Sequence, residues 1–353
     1  MMELRSVCRH LALLGGASLL LCGGLAGCRR AGSQASPGVI NGAGASFPYP
    51  IYSEWFALYD REHPGVEINY QPIGSGGGIR QVRDGILDFG GTDGPMTDAQ
   101  MAASPVKVLH VPTVLGAVVP VYHLPGVRGE LNFSAGVIAD IYLGTITRWN
   151  DPRIVKENPG VALPDHEILP VYRSDGSGTT FVWTDFLSKC STTWASRVGR
   201  ATSVEWPIGI GEKGSEGVSG MVEQSPYSFG YVEMNYAAQN GMTYGRIQNL
   251  AGHWVKATPE SVTAAAQAMV GAIPADFRAS LTNPPGAESY PVTSLTWLLV
   301  PIRPKDPRHG PVIADFLHWM LTTGESLAPG MHYAPLPPEL QARVLASLRQ
   351  LQR

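Results

Sequence analysis

The chain passes three times from a short apolar strand, through a loop rich in glycine and hydroxyl groups, into a helix. "GVINGAGASFPYPIYSEWFALYDREHPG" predicts a strand, a loop and a helix with Ile51, Trp55, Leu58 and Tyr59 on one face. "VEINYQPIGSGGGIRQVRDGILDFGGTDGP" repeats this plan, with "GSGGG" as the loop and a helix over Ile79–Leu87. "EILPVYRSDGSGTTFVWTDFLSK" is the third case. Strands that alternate with helices predict an α/β fold.

Further elements follow the same logic over a chain of 353 residues, a length that favours two domains over one core. A long apolar strand is predicted over Val106–Leu124, and "VTSLTWLLVPI" predicts a late one. Ser134 and Thr258 are predicted N-caps of helices. Two helices close the chain, around Val312–Thr322 and Pro338–Leu348.

The first residues resemble an export signal and lie outside the predicted fold. Arg5 and Arg9 precede an apolar run over Leu11–Leu21, which is too short and too rich in glycine to span a membrane. The ending "LAGC" resembles a bacterial lipobox, in which Cys28 would carry acyl chains such as palmitate. Residues 1–27 are then a lipoprotein signal peptide and 28–37 a flexible tether. The alternative is an ordinary secreted protein that is cleaved nearby.

Charge and cysteine content exclude some classes of function. Removing residues 1–27 takes away two arginines and one glutamate, so the mature balance is 24 minus 28, or −4. This mild acidity argues against nucleic acid as a partner. After maturation only Cys28 and Cys190 remain, so Cys190 is predicted to be a lone thiol. The nine histidines lack metal-site spacing, so neither a metal nor a cofactor is predicted.

Four glycine and hydroxyl loops are candidates for an anion site. They are Ala45–Phe47, Gly74–Gly78, Thr92–Gly94 and Arg173–Thr180 ("RSDGSGTT"). At a helix start the free N–H groups and the helix dipole favour an anion, and glycine lets the backbone approach it closely. For any single loop, helix capping is the better explanation. Several such loops with one arginine favour an anion site.

Catalytic and nucleotide sites fit these loops less well. Ser177 is not a nucleophile elbow, because Asp175 and Thr179 stand where G-x-S-x-G requires glycine. A triad with a distant histidine is not excluded by spacing. No glycine loop is followed by the lysine of a P-loop, and "GAGASF" only approaches G-x-G-x-x-G.

The motifs together resemble a known family. "NGAGASFPYPIY", "YQPIGSGGGIRQV", "DFGGTDGPM", "DIYLGTITRWND", "RSDGSGTTFVWTDFL", "WPIGIGEKG" and "GYVEMNYA" occur in order and are similar to the substrate-binding protein of the high-affinity phosphate ABC transporter. The resemblance covers nearly the whole mature chain. It implies an α/β two-lobe periplasmic binding protein of the class II type, with a hinge and a ligand cleft between the lobes. Lobe one would be 38–114 plus 294–353, and lobe two 115–293.

The resemblance also implies a ligand set. The residues that would contact phosphate are Ser46, Phe47 through its backbone N–H, Ser75, Asp93, Arg173, Ser177, Gly178 and Thr179. Asp175 would support the site by pairing with Arg173. Two positions depart from the family, since Ser46 stands where threonine is frequent and Gly76 where a second serine is common. The serine keeps the hydroxyl, whereas Gly76 could remove a supporting hydrogen bond.

Asp93 is the unusual member of this set. A carboxylate that faces an anion is costly unless a proton lies between them. Phosphate carries a P–OH donor at neutral pH and sulfate carries none, so Asp93 would accept from phosphate and repel sulfate. The alternative is a turn residue before Gly94.

The predicted function is therefore binding of inorganic phosphate between two lobes and its delivery to a membrane ABC permease, without catalysis. The expected protein is an exported monomer, anchored by lipid to a bacterial membrane on its periplasmic or cell-surface side. Its partners would be phosphate, the permease and the membrane, and not nucleic acid. The alternatives are a receptor for another oxyanion, sulfate or molybdate, and a phosphatase on the same fold.

Overall fold

Strands and helices alternate along the part of the chain that the structure describes. The computed structural model describes residues 38–351, so the predicted signal peptide, the tether and Cys28 lie outside the described residues. The strands are β1 Gly38–Gly44, β2 Val66–Gln71, β3 Phe89–Thr92, β4 Val108–Tyr122, β5 Asn132–Phe133, β6 Leu169–Arg173, β7 Ile210–Glu212, β8 Ser228–Glu233, β9 Arg246–Gln248, β10 Trp254–Val255 and β11 Thr293–Pro301.

The α-helices lie between these strands or follow them. They are α1 Tyr49–Glu62, α2 Ser75–Arg83, α3 Asp98–Ala102, α4 Ala135–Tyr142, α5 Pro152–Glu157, α6 Gly178–Cys190, α7 Thr192–Arg197, α8 Gly214–Gln224, α9 Met234–Gln239, α10 Pro259–Met269, α11 His309–Thr322 and α12 Pro338–Ser347. This mixed α/β architecture confirms the predicted fold class.

One eight-stranded sheet organises the fold, with the strand order β2-β1-β3-β11-β4-β8-β6-β7. Strands β2, β1 and β3 are parallel, and so are β8, β6 and β7. Between these two parallel groups, β11 and β4 run antiparallel to their neighbours. A smaller sheet has the order β10-β9-β5.

Strand β4 joins the two parts of the large sheet. Its residues up to Ala117 pair with β11, and its residues from Val118 onward pair with β8. All fifteen residues of β4 are buried, as its continuous apolar sequence predicts. The same strand therefore belongs to both halves of the sheet.

The core lies between the sheet and the helices that cover it. Helix α1 buries Ile51, Tyr52, Trp55, Phe56 and Tyr59, which are spaced three and four residues apart. This is the predicted face, although Leu58 itself is only half-buried.

The prediction for "GSGGG" is wrong, because these residues begin a helix and do not form a loop. Helix α2 starts at Ser75 and ends at Arg83, so the predicted span Ile79–Leu87 is displaced. The turn before it is at Gly74, whose φ is +85°. A Cβ atom on Gly78 would lie 2.8 Å from the carbonyl oxygen of Ala43, so glycine allows the helix to lie directly on the sheet.

The predicted N-caps and the predicted lone thiol are confirmed. Ser134 caps α4 by accepting a hydrogen bond from the backbone N–H of Val137. Thr258 caps α10 in a reciprocal capping box with Ser261. Cys190 is a free thiol. Within residues 38–351, no helix is long and apolar enough to cross a membrane, and no cluster of side chains is suited to hold a metal ion.

Candidate anion-binding site

The predicted loops meet where strands β1, β3 and β6 end. The backbone N–H of Gly76 at the start of α2 donates to the carbonyl oxygen of Gly176, just before α6, over 2.8 Å. A Cβ atom on Gly178 would lie 2.4 Å from Ser75 Oγ and 2.5 Å from Asp93 Oδ2. The "RSDGSGTT" loop is therefore in direct contact with residues that are about a hundred positions earlier in the chain.

Asp93 is a buried carboxyl group that forms no ion pair with any residue of the described range 38–351. It is 1 % exposed. Its Oδ1 accepts from Thr296 Oγ1 over 2.9 Å, and its Oδ2 accepts more weakly from Ser75 Oγ over 3.4 Å. Burial raises the pKa of Asp93 to about 7, against the lowering effect of the Thr296 hydrogen bond, the Arg173 charge and the Ser75 hydrogen bond. Protonated and ionised Asp93 therefore coexist close to neutral pH, and the ionised form can accept a hydrogen bond from a P–OH group.

Arg173 supplies the positive charge of the site. It is 3 % exposed, and its Nε and Nη2 donate to the two carboxylate oxygens of Asp175 over 2.7 and 2.6 Å. Burial lowers the pKa of Arg173, but the pair with Asp175 outweighs this effect and leaves the pKa raised. The same pair lowers the pKa of Asp175 against its own burial. The predicted Arg173–Asp175 pairing is thus present, and Nη1 remains for other partners.

The remaining guanidinium nitrogen faces hydroxyl groups. Arg173 Nη1 lies 3.5 Å from Thr179 Oγ1 and 3.4 Å from Ser215 Oγ. Ser215 in turn lies 3.0 Å from Ser46 Oγ, so two hydroxyls lie beside the cationic nitrogen and a third, from another segment, contacts one of them. All of these hydroxyl residues are buried. The arrangement suits an oxyanion, which accepts hydrogen bonds on every oxygen.

Ser177 caps helix α6, as the alternative interpretation predicted. Its Oγ accepts from the backbone N–H of Thr180 over 3.1 Å. Accepting this bond uses a lone pair and leaves the hydroxyl hydrogen available as a donor. Gly178 and Thr179 follow in the first turn, where backbone N–H groups have no partner within the helix. Capping and anion binding are therefore compatible at this loop.

Two tyrosines hold the loop that carries Ser46 and Phe47. Tyr236 donates its hydroxyl hydrogen to the carbonyl oxygen of Ser46 over 2.7 Å, and Tyr333 does so to that of Phe47 over 2.7 Å. The Phe47 side chain is fully buried, and a Cβ atom on Gly116 would lie 2.6 Å from its ring. Phe47 can thus offer only its backbone to the site, as the sequence analysis expected.

The residues of this cluster that were absent from the predicted set include Ser215, Thr296, Tyr236 and Tyr333. Ser215 carries a recognisable signal, because "GEKGSEG" places glycine and serine between strand β7 and helix α8 as in the other loops. Thr296 lies inside the apolar strand β11, and Tyr236 follows a strand in a helix of ordinary composition, so neither carries a local signal. Trp183 and Trp194 are fully buried in the core, so their rings are not exposed to stack against a sugar ligand.

The chain is similar to known proteins over most of its length. A family model described as a PBP superfamily domain matches residues 31–323. The chain is 44% identical to the phosphate-binding protein PstS of Xylella fastidiosa (strain Temecula1) over 87% of this chain and 84% of that protein. It is also 44% identical to the PstS protein of Pasteurella multocida over 87% of this chain and 89% of that protein.

A solved structure shares the fold at lower sequence identity. It is a high-affinity periplasmic phosphate-binding protein, PfluDING, determined with bound phosphate. It superposes with a TM-score of 0.70 at 20% identity, covering 88% of this chain and 94% of that chain. The two-lobe fold expected from the sequence is therefore present.

Proposed function

Since this chain belongs to the PstS family of phosphate-binding proteins, we propose that the buried site described above holds one inorganic phosphate ion. The chain is a binding protein of phosphate transport and not an enzyme. In this role the site takes up free phosphate, and the loaded protein delivers the ion to a membrane ABC permease. Membership of this family therefore excludes the alternative of a phosphatase on the same fold.

The proposed ligand set is the one expected from the sequence. Its members are Ser46, Phe47, Ser75, Asp93, Arg173, Ser177, Gly178 and Thr179, with Asp175 as the support of Arg173. Support comes from their proximity, since Ser75 and Asp93 contact Gly178 while Ser46 is linked to Arg173 through Ser215. The N-terminal ends of α2 and α6 add backbone N–H donors, one from each proposed lobe.

The observation that carries phosphate over other oxyanions is the buried carboxyl of Asp93 on the same site as Arg173. Arginine, hydroxyls and helix N-termini bind any tetrahedral oxyanion. A buried carboxylate tolerates only an anion that donates a proton to it, because two facing negative charges without a proton repel each other in a water-poor site. Phosphate has such a proton at neutral pH, whereas sulfate and molybdate lack it.

The two lobes would close around the ion. We assign 38–114 plus 294–353 to lobe one and 115–293 to lobe two, with the hinge in the central strands. The change of partner of β4 between Ala117 and Val118 lies close to the first boundary, and the start of β11 at Thr293 lies at the second. With this division, Ser46, Ser75 and Asp93 face Arg173 and Gly178 across the cleft.

The location of the protein follows from its first residues. We propose that residues 1–27 direct export, that Cys28 is acylated, and that the monomer is held on a bacterial membrane on its periplasmic or cell-surface side. The support is the apolar run followed by "LAGC". Residues 28–37 would then connect the anchor to the binding domain.

The experiment that tests phosphate binding is calorimetric titration of the mature chain, produced without acylation, with phosphate in the presence of excess sulfate. The protein is first unfolded and refolded to remove carried-over ligand, and its fold is verified by circular dichroism. Binding of one phosphate per chain that survives the sulfate supports the proposal. Equal binding of both anions would indicate a general oxyanion receptor, and absence of binding by folded protein would refute the function.

A further inference from the structure

Helix α8 brings a side chain into the candidate site that the family resemblance does not assign. Strand β7 precedes this helix and pairs with β6, with Glu212 opposite Arg173. The chain then turns at Gly214, whose N–H donates to Asp175 Oδ1 over 3.1 Å. This bond ties the start of α8 to the partner of Arg173. Ser215 follows directly and is 1 % exposed.

Ser215 has two polar partners in the site. Arg173 Nη1, at 3.4 Å from Ser215 Oγ, can only donate, so the serine oxygen accepts from it. Ser46 Oγ lies 3.0 Å from Ser215 Oγ, and either hydroxyl can donate in this second contact. Ser215 is thus the residue through which Ser46 is connected to Arg173.

The Ser215 hydroxyl lies beside the guanidinium nitrogen of Arg173 that is available to bind an anion. Asp175 occupies Nε and Nη2 of Arg173, so Nη1 is the guanidinium nitrogen that faces the hydroxyl groups. Thr179 and Ser215 flank that nitrogen on two sides. An anion oxygen bound to Nη1 would lie within reach of both hydroxyls and of Ser46. The hydrogens of Ser46 and Ser215 would then turn from each other toward the anion.

We propose that Ser215 is a further phosphate-binding residue, which donates its hydroxyl hydrogen to the anion when the site is occupied. This inference rests on the proposed function and adds a third helix start, that of α8, to those of α2 and α6. A serine hydroxyl can donate to an anion whether or not the anion carries a proton of its own. Ser215 therefore contributes affinity, whereas Asp93 contributes selectivity.

The matched variants are Ser215→Ala and Ser219→Ala in the mature chain. Ser219 lies one turn further along the same helix and is 2 % exposed, and its Oγ has no hydrogen-bond partner within the described residues. The measurement is calorimetric titration with inorganic phosphate at pH 6 and pH 8.5, together with sulfate competition and the melting temperature of the ligand-free proteins.

We expect Ser215→Ala to bind phosphate about 10- to 100-fold more weakly, the range for a lost hydrogen bond to a charged group. The loss should be the same at both pH values, the preference for phosphate over sulfate should not change, and Ser219→Ala should bind like the wild type. Ser215→Thr keeps the hydroxyl and should recover part of the affinity. If Ser215→Ala and Ser219→Ala weaken phosphate binding equally, the cause is a general disturbance of helix α8, and the proposal is overturned.

The two proposals fail separately. If the wild type binds phosphate and Ser215→Ala binds it equally well, Ser215 is not a ligand and the phosphate site stands without it. If the folded wild type does not bind phosphate, the proposed function itself fails. A changed preference for phosphate over sulfate in Ser215→Ala would also overturn the proposal, because it would give Ser215 the selectivity role assigned to Asp93.

Discussion

The hydroxyl of Thr296 donates a hydrogen bond of 2.9 Å to Oδ1 of Asp93, although the two residues are separated by 203 positions in the chain. Both are buried, and Thr296 lies on β11 opposite the end of β3. The bond holds one carboxylate oxygen and leaves Oδ2 directed toward Ser75 and Gly178. The orientation of the acceptor is therefore determined by the sheet and not by the loop in which Asp93 lies.

Asp93→Asn should reduce the preference for phosphate over sulfate. The amide removes the charge that repels sulfate and offers N–H donors to an anion without a proton. The measurement is competition calorimetry with both anions. The dissociation constant for sulfate divided by that for phosphate should fall at least about tenfold, equivalent to 1.4 kcal/mol. Asp165→Asn, an exposed acid that is paired with Arg148, controls for net charge. An unchanged ratio would remove Asp93 from the selectivity role.

The pKa of Asp93 predicts a pH-dependent stability of the ligand-free protein. The pKa is raised from 3.8 to about 7, so the folded state binds the proton more tightly than the unfolded state. This contribution is complete below pH 3.8 and is lost as pH rises through about 7. Relative to Asp93→Asn, the wild type should lose stability on the order of a few kcal/mol over this window. Urea titrations at several pH values measure it, and parallel curves for the two proteins would contradict the prediction.

Gly178→Ala should disrupt the site without breaking its helix. The added Cβ would lie 2.4 Å from Ser75 Oγ and 2.5 Å from Asp93 Oδ2, so the two sides of the site must separate. We expect phosphate affinity to fall at least about 100-fold, which corresponds to about 2.7 kcal/mol. Gly220→Ala is the matched control, since it lies inside α8 and its Cβ would meet no atom within 4 Å. Wild-type affinity in Gly178→Ala would show that the site is more open than described.

Arg173→Ala should weaken every oxyanion, whatever its protonation. It removes the charge of the site and leaves Asp175 without its bidentate partner, so stability should also fall. Loss of one member of a buried charged contact typically costs 2–5 kcal/mol, which predicts a loss of about 30-fold or more for phosphate and sulfate alike. Arg153→Ala, which removes a surface arginine that is paired with Asp140 and Asp151, serves as the control. A selective loss of phosphate alone would contradict this role.

Cys28→Ser should abolish acylation. When cells are grown with labelled palmitate, the wild type and Cys190→Ser should both take up label, whereas Cys28→Ser should not. The free thiol Cys190 is the matched control, because it is the other cysteine of the predicted mature chain. Label that persists in Cys28→Ser would refute lipidation at this residue.

Sequence information predicted those features of the site that depend on neighbouring residues. Arg173 and Asp175 are two residues apart, and their pairing, which the family resemblance implied, is a property of one loop. Ser177 and Thr258 could be recognised as caps because the capping bond spans three residues. Ser215 shares the glycine and serine pattern of the other loops and was accessible by the same reasoning.

Other features depend on distant parts of the chain. Thr296 resembles any residue of an apolar strand, and only the pairing of β11 with β3 brings it to Asp93. The glycines of "GSGGG" suggested a loop because their helical role requires knowledge of the neighbouring strand. Gly78 is needed because the backbone of Ala43 approaches it, and nothing near Gly78 in the sequence indicates that contact.

If the hinge lies in the central strands as proposed, the shared strand β4 determines how long a bound ion remains. Because β4 exchanges β11 for β8 between Ala117 and Val118, a twist at that point would separate the proposed lobes while each half of the sheet keeps its ladder. The barrier to release then resides in a few cleft contacts, such as the bond from Gly76 to Gly176. Residence time can consequently be adjusted by substitutions at the cleft with little effect on the unfolding rate, so that the protein can load and unload repeatedly without unfolding.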